Sequence, residues 1–314
     1  MLVIDADPGI GDALAIALAL SDPDLDVVGI TACAGCVSGR QAARNIQALV
    51  DLIDPPRRPR IGVSHMVAPL IDSPLVYEAP GPQSLNGANG LGDLELRAAE
   101  LHHAHVSAKV LADLVRQFPH RITLLTLGPL TNVALAQELE PQFFELLREL
   151  VCLGGSFQIG GDITAAAEFN ILVDPESAAA VFARPATKTI VPRDVAERPE
   201  ITFERLNAIQ ARRANNPLWR LANELLPFAL RAHHEELGRE GFPLKEVTAL
   251  AAIARPGLFE RDSLPVDVEL RGEITRGMTV FDIRPRIARQ PNADVVIDVD
   301  EQGVLDYFQR FLFR

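Results

Sequence analysis

The sequence predicts an α/β protein built on an open, mostly parallel sheet with helices on both faces and a helical C-terminal part. Short runs rich in β-branched residues alternate with longer Ala- and Leu-rich runs of helical length through the first two thirds of the chain. Strands separated by helix-length crossovers are what a parallel sheet requires. The last third changes character, helix-rich first and strand-like only near its end.

Taken in order, Leu2-Val3-Ile4 is the first strand candidate, and Asp12 to Leu20, dominated by Ala and Leu, is the first helix. Val27 to Thr31 repeats the strand pattern and Ser38 to Leu52 the helical one. A third unit pairs Ile122 to Thr126 with Leu130 to Leu139. Leu150 to Leu153, a helix over Pro175 to Phe182, and Thr187 to Val191 continue the alternation. Beyond them Leu206 to Leu237 is helix-rich and polar-faced, Glu246 to Ala254 is a short helix, and Val266 to Leu270 and Asp294 to Val299 read as strands. No fixed-period repeat or long structureless linker divides the chain, so residues 1–314 read as one domain.

Composition narrows the class. With 48% hydrophobic and 23% charged residues over 314 positions, the chain buries a large core and is not disordered. Its longest apolar runs, such as Ala13 to Leu20, fall short of the ~20 residues a bilayer requires. Met1 to Asp5 carries no basic region ahead of an apolar one, so a cytoplasmic location is expected. Cys33, Cys36 and Cys152 are too few for a disulfide framework, and a formal charge of −12 argues against a nucleic-acid partner. Pro55 to Arg60, the basic cluster, reads as a proline-stiffened surface loop.

Ligands of such sheets bind at the carboxyl ends of the strands. There the first strand runs into Asp5-Ala6-Asp7-Pro8-Gly9-Ile10-Gly11-Asp12, three carboxylates at a strand end and a helix start. Carboxylates brought together repel one another unless a cation neutralises them, and hard oxygen donors suit Ca²⁺ or Mg²⁺. The plainer alternative is that Asp12 caps the helix and Asp5 satisfies local amides.

This run resembles the N-terminal motif of the inosine-uridine nucleoside N-ribohydrolases, and further blocks follow in that family's order. They include Asn86 to Gly92, Leu127 to Asn132, Gly154-Gly155 leading to Ala167-Glu168-Phe169-Asn170, Asp174-Pro175-Glu176, and Gly272 to Met278. The resemblance implies the nucleoside hydrolase fold, an open Rossmann-like sheet, and a calcium ion held by Asp7, Asp12, the Leu127 carbonyl and a late carboxylate that falls on Glu246. It implies hydrolysis of an N-glycosidic bond by a calcium-bound water that Asp7 activates, with Asp162, Glu168 and Asn170 on the sugar. A homodimer or homotetramer is also implied. Without that frame, Glu168 and Asn170 read equally well as residues satisfying loop amides.

Four positions depart from the family pattern. Gly11 replaces an aspartate that contacts a ribose hydroxyl, Cys36 and Asn86 stand where the family has an Asn and a His in its substrate loops, and Lys245 replaces a late His linked to leaving-group protonation. These departures predict weak turnover of ordinary ribonucleosides, because a lost hydrogen-bond partner leaves a polar group unpaired. They also keep open a paralogue that binds a nucleoside or sugar without efficient turnover. Lys245 as catalytic acid needs a depressed pKa; as a plain helix-start lysine it needs none. A redox role for Cys33-Ala34-Gly35-Cys36 is not expected, and His233 and His234 read as a solvated helix face at the pocket rim.

Overall fold

The computed structural model describes residues 1–66, 80–99, 105–284 and 289–314. In its first half the chain runs β1 (Leu2–Ala6), α1 (Ile10–Ser21), β2 (Val27–Ala32), α2 (Gly39–Ile53), β3 (Arg60–Val63), α3 (Pro82–Asn86), β4 (His105–Val106) and α4 (Ser107–Gln117). Next come β5 (Thr123–Thr126), α5 (Thr131–Leu139), α6 (Phe143–Leu146), β6 (Glu149–Leu153), α7 (Phe169–Val173), α8 (Pro175–Phe182), β7 (Lys188–Val191) and α9 (Arg193–Ala196). The last third holds β8 (Glu200–Thr202), α10 (Phe203–Ala211), α11 (Pro217–Leu237), β9 (Gly241–Pro243) and α12 (Lys245–Ala254). It closes with β10 (Phe259–Leu264), β11 (Val266–Val268), β12 (Thr279–Phe281), β13 (Ala293–Val299) and α13 (Glu301–Leu312).

Nine strands form one sheet in the order β10-β13-β7-β6-β5-β1-β2-β3-β4. Every pairing in it is parallel except β10 with β13. The chain begins in the middle, grows outward through β2, β3 and β4, and returns to the other side of β1 as β5. That reversal opens a crevice at the carboxyl ends of β1 and β5. On one face α1 packs on α2, α11 and α12; on the other α4 packs on α5 and α6, and α5 on α8. Residues Ile10 to Ala19 of α1 are all buried, which is why that helix carries Ala and Leu on every side. No described helix is long and apolar enough to cross a membrane.

Elements with a clear period appear where the sequence predicts them, Pro175–Phe182 to the residue. The helix-rich stretch Leu206 to Leu237 divides into two helices, because Asn216 caps the Trp219 amide at 2.7 Å and Pro217 starts α11. Val266–Val268 leaves the main sheet and pairs with Thr279–Phe281 in a ribbon. Strands β3, β4, β8, β9, β10 and β12 and helices α3, α4, α6, α7, α9 and α13 have no counterpart in the sequence prediction, which ends the chain on the Asp294 to Val299 strand. In β10 the reason is visible: Glu260, Arg261 and Asp262 are exposed on an edge strand, where charge discourages further pairing and hides the strand pattern. In the Pro55 to Arg60 cluster, Arg57 and Arg58 pair with Asp26, Asp51 and Asp54 at the surface and Arg60 opens β3.

Candidate active site

A cavity lies at the carboxyl ends of β1, β5 and β6, and ten of the residues singled out from the sequence line it, Asp5 and Gly11 not among them. Asp7 follows β1, Asp12 sits in the first turn of α1, Leu127 follows β5, and Lys245 and Glu246 open α12. Asp162 and Glu168 come from the segment between β6 and α7 and Asn170 from the first turn of α7, while Cys36 precedes α2 and Asn86 ends α3. The remaining wall is largely apolar, from Leu85, Ile163, Phe169 and two prolines.

Asp7 is clasped by backbone. Its Oδ2 accepts the Cys36 amide at 2.6 Å. A Cβ on Gly35 would lie 1.9 Å from Oδ2 and one on Gly128 2.2 Å from Oδ1, so only glycines let both loops approach so closely. Burial pushes the carboxyl up to about 7 despite the Cys36 amide, with the Glu246 charge adding to the rise.

Asp12 does two things at once. Its Oδ2 accepts the Gly9 amide at 3.1 Å, which satisfies the helix start. Its Oδ1 is buried with no hydrogen-bond partner among the described residues. Burial, then the charges of Asp7 and Glu246, hold this carboxyl well above its usual range. Burial also raises Glu246, against the pull of the Lys245 charge.

The sugar-side candidates carry structural duties. Glu168 caps α7, accepting the Asn170 amide at 3.1 Å on Oε1 and the Gly155 and Ile171 amides at 2.9 and 3.3 Å on Oε2. Asn170 Nδ2 donates to the Leu127 and Leu153 carbonyls at 2.7 and 3.0 Å. Asp162 Oδ1 accepts the Phe169 amide at 2.9 Å, and its Oδ2 stands 3.9 Å from Lys245 Nζ. Asn86 accepts the Ile10 amide at 2.9 Å and donates to the Pro82 carbonyl at 3.1 Å, so both ends of its amide are engaged. Around Lys245, burial favours the neutral amine, but Asp162, Glu246, Glu197 and Glu168 outweigh it and hold the ammonium charged.

Two sequence readings change. Asp5 is not at the cavity: it lies inside β1, fully buried, with Oδ1 accepting Thr31 Oγ1 at 2.5 Å and Asn132 Nδ2 at 2.8 Å. His233 is not on a solvated face. It is buried, with Nδ1 2.9 Å from the Ala229 carbonyl and its ring edge-on to Phe242, and burial pulls it down to about 4. His234 alone fits the solvated reading, exposed near Glu240. Cys33 and Cys36 are free thiols, and burial and the nearby carboxylates raise both, the direction opposite to a redox motif.

The sequence reading missed a clamp on the cavity rim. Asp194, just past β7, accepts the Phe157 and Gln158 amides at 2.5 Å and the Ile159 amide at 2.9 Å. Beside it Arg193 donates to the Gly160 and Gly161 carbonyls at 3.0 Å and pairs with Glu197 at 2.6 Å. Together they fix the loop that delivers Asp162. Their one signal in the sequence was a position at the carboxyl end of a strand.

Among the described residues no three His, Cys, Asp or Glu side chains form a ready metal cluster. The donor chemistry nonetheless fits a hard cation. Asp7 and Asp12 each spend one oxygen on a backbone amide, Asp12 leaves the other buried and orphaned, and Glu246 and the Leu127 carbonyl line the same floor.

Comparison with known proteins supplies independent findings. The family model described as "Inosine-uridine preferring nucleoside hydrolase" matches residues 2–306. A pyrimidine-specific ribonucleoside hydrolase, RihA, of Escherichia coli (strain HS) is 34% identical over 307 residues, 97% of this chain and 96% of that protein. RihA of Shigella flexneri gives the same identity and coverage. Among solved structures, a plant nucleoside hydrolase is 28% identical with a TM-score of 0.83, covering 99% of this chain and 98% of its own. A purine-preferring ribonucleoside hydrolase from Gardnerella vaginalis has a TM-score of 0.87 at 24% identity, over 99% of this chain and 97% of its own, a likeness of fold.

Proposed function

The chain belongs to the inosine-uridine preferring nucleoside hydrolase family, and from that premise we propose that it hydrolyses the N-glycosidic bond of a ribonucleoside or related N-riboside. The observation that carries this reading is the cavity floor, where buried Asp7 and Asp12 and half-buried Glu246 line one cavity and Asp12 Oδ1 has no partner among the described residues. The lining divides in two, an acidic floor suited to sugar hydroxyls and an apolar wall of Leu85, Ile163 and Phe169 suited to a base.

Asp7, Asp12, Glu246 and the Leu127 carbonyl would hold a calcium ion. When bound, that ion supplies Lewis-acid polarisation of water and of sugar oxygens. Asp7 is the proton acceptor for the attacking water. Its Oδ2 is fixed by the Cys36 amide, which orients the carboxylate toward the cavity. Glu168 and Asn170, locked by their amide and carbonyl partners, present fixed groups to the sugar with little reorganisation on binding. Lys245 is a fixed positive charge between Asp162 and Glu246 and offsets the charge of the floor.

Calorimetric titration with calcium and release of ribose from a panel of nucleosides test this reading together. The expected result is calcium binding and turnover that a chelator abolishes and added calcium restores. Turnover untouched by the chelator would overturn the role of the ion. Calcium binding with no turnover of any panel member would favour the nucleoside- or sugar-binding paralogue.

A further inference from the structure

Gly11 stands in the first turn of α1, and α1 packs against α12. Its backbone is helical and it is not among the glycines with positive φ, so conformation does not call for glycine here. Inside a helix glycine is in fact disfavoured by about 1 kcal/mol relative to alanine. What calls for it is Glu246. A Cβ on Gly11 would lie 1.9 Å from Glu246 Oε2, 2.4 Å from Cδ and 3.0 Å from Oε1. The carboxylate that opens α12 therefore occupies the space that any side chain at position 11 would need. Among the described residues that carboxylate receives no hydrogen bond beyond its own amide, although it lines the cavity beside Asp12 Oδ1.

We propose that Gly11 is a positioning residue for Glu246: the missing side chain is the socket that seats the longer glutamate arm, so that the floor's third carboxylate is delivered from α12 across the first turn of α1. The inference rests on the hydrolase reading for what that carboxylate binds, but not for the fit of the pair. Its consequence runs against simple motif repair. Placing at position 11 the aspartate found in the resembled family does not restore a missing function; it displaces Glu246. Gly11 and the Glu246 arm form one exchangeable unit, so an acid at position 11 is tolerated only when the arm from α12 is shortened.

A double-variant cycle tests this with three readouts: melting of the metal-free protein, calcium affinity by calorimetry, and kcat/KM on the best substrate of the panel. Gly11→Ala and Gly11→Asp are each expected to weaken calcium binding and kcat/KM by about tenfold or more, and Gly11→Ala to raise the melting temperature of the metal-free protein less in the wild-type background than in a Glu246→Asp background, where the arm no longer fills the space. Adding Glu246→Asp to either should recover most of each loss, to within about threefold of wild type for calcium affinity. Strictly additive effects, or a Gly11→Asp single variant equal to or better than wild type, would overturn the pairing. If Gly11→Asp alone does not fold, Gly11→Asp/Glu246→Ala decides: a folded double variant supports the pairing and an unfolded one refutes it. Absence of calcium binding and turnover in wild type would defeat the hydrolase reading, while the metal-free melting cycle would still judge the pair.

Discussion

Asp5 and Asp7 are two residues apart at the end of one strand, both are buried, and burial pushes both carboxyls up to about 7. They nevertheless belong to different regions. Asp5 is sealed into the sheet, its Oδ1 held by Thr31 and Asn132 from β2 and α5. Asp7 lies one step beyond the strand, against two glycine-lined loops and open to the cavity. Burial and a raised pKa are thus common to a structural and a candidate catalytic carboxylate. What separates them is where the strand ends, since a side chain within β1 meets its neighbours and the first one past it meets the crevice.

The comparison breaks most sharply at Asp7 itself. Asp7→Asn is expected to lower kcat by about 10²-fold to 10⁴-fold, the range for removing a general base, while leaving the melting temperature unchanged or raised because a buried charge among like charges is gone. Asp5→Asn should do the reverse, keeping kcat within about threefold but altering stability through the Thr31 and Asn132 bonds. Steady-state kinetics and thermal melting of the two variants side by side check both halves. Equal loss of activity in the two would dissolve the distinction between the regions.

Asp194→Ala comes next. Loss of the acceptor for three loop amides should raise KM about tenfold with a smaller change in kcat, because the loop bearing Asp162 loosens while the floor stays intact. A fall confined to kcat would place Asp194 in the chemistry instead. Lys245→Met should lower kcat/KM about tenfold, and by similar factors for natural nucleosides and for p-nitrophenyl riboside, as a fixed charge would. A loss selective for natural nucleosides would identify Lys245 as the proton donor to the leaving base.

The smallest expected effect is on acid stability. Burial lowers His233 to about 4 from an ordinary 6.5, so between those values the unfolded chain binds a proton that the folded chain does not. His233 therefore contributes stability that is present above 6.5 and lost as pH falls toward 4. Melting curves at pH 5 and pH 7.5 should show a smaller acid-induced drop for His233→Gln than for wild type.

Much of the sheet was legible because its central strands and helices carry strong periods, as in Val27 to Thr31 and Pro175 to Phe182. What stayed hidden lay where tertiary context overrules the local pattern. Charged Glu260, Arg261 and Asp262 mask an edge strand, and His233, within a polar-looking run, turns its ring onto Phe242 in the core. At the cavity, residue types at strand ends pointed to Asp7 and Asp12. The duties of Asp194 and the fit of Gly11 to Glu246 depend on partners far away in sequence, and no local spacing reveals them. Asp5 was misplaced for the same reason, because its partners Thr31 and Asn132 come from other elements.

The most direct test of the floor as a glycosidic-bond site is release of free base by the purified chain, with calcium, from a mixed pool of ribonucleosides and other N-ribosides, run beside Asp7→Asn and read by chromatography. The expected result is free base from wild type and essentially none from the variant. Base release at the same rate from Asp7→Asn, or none from a wild-type chain that binds nucleoside, would contradict it.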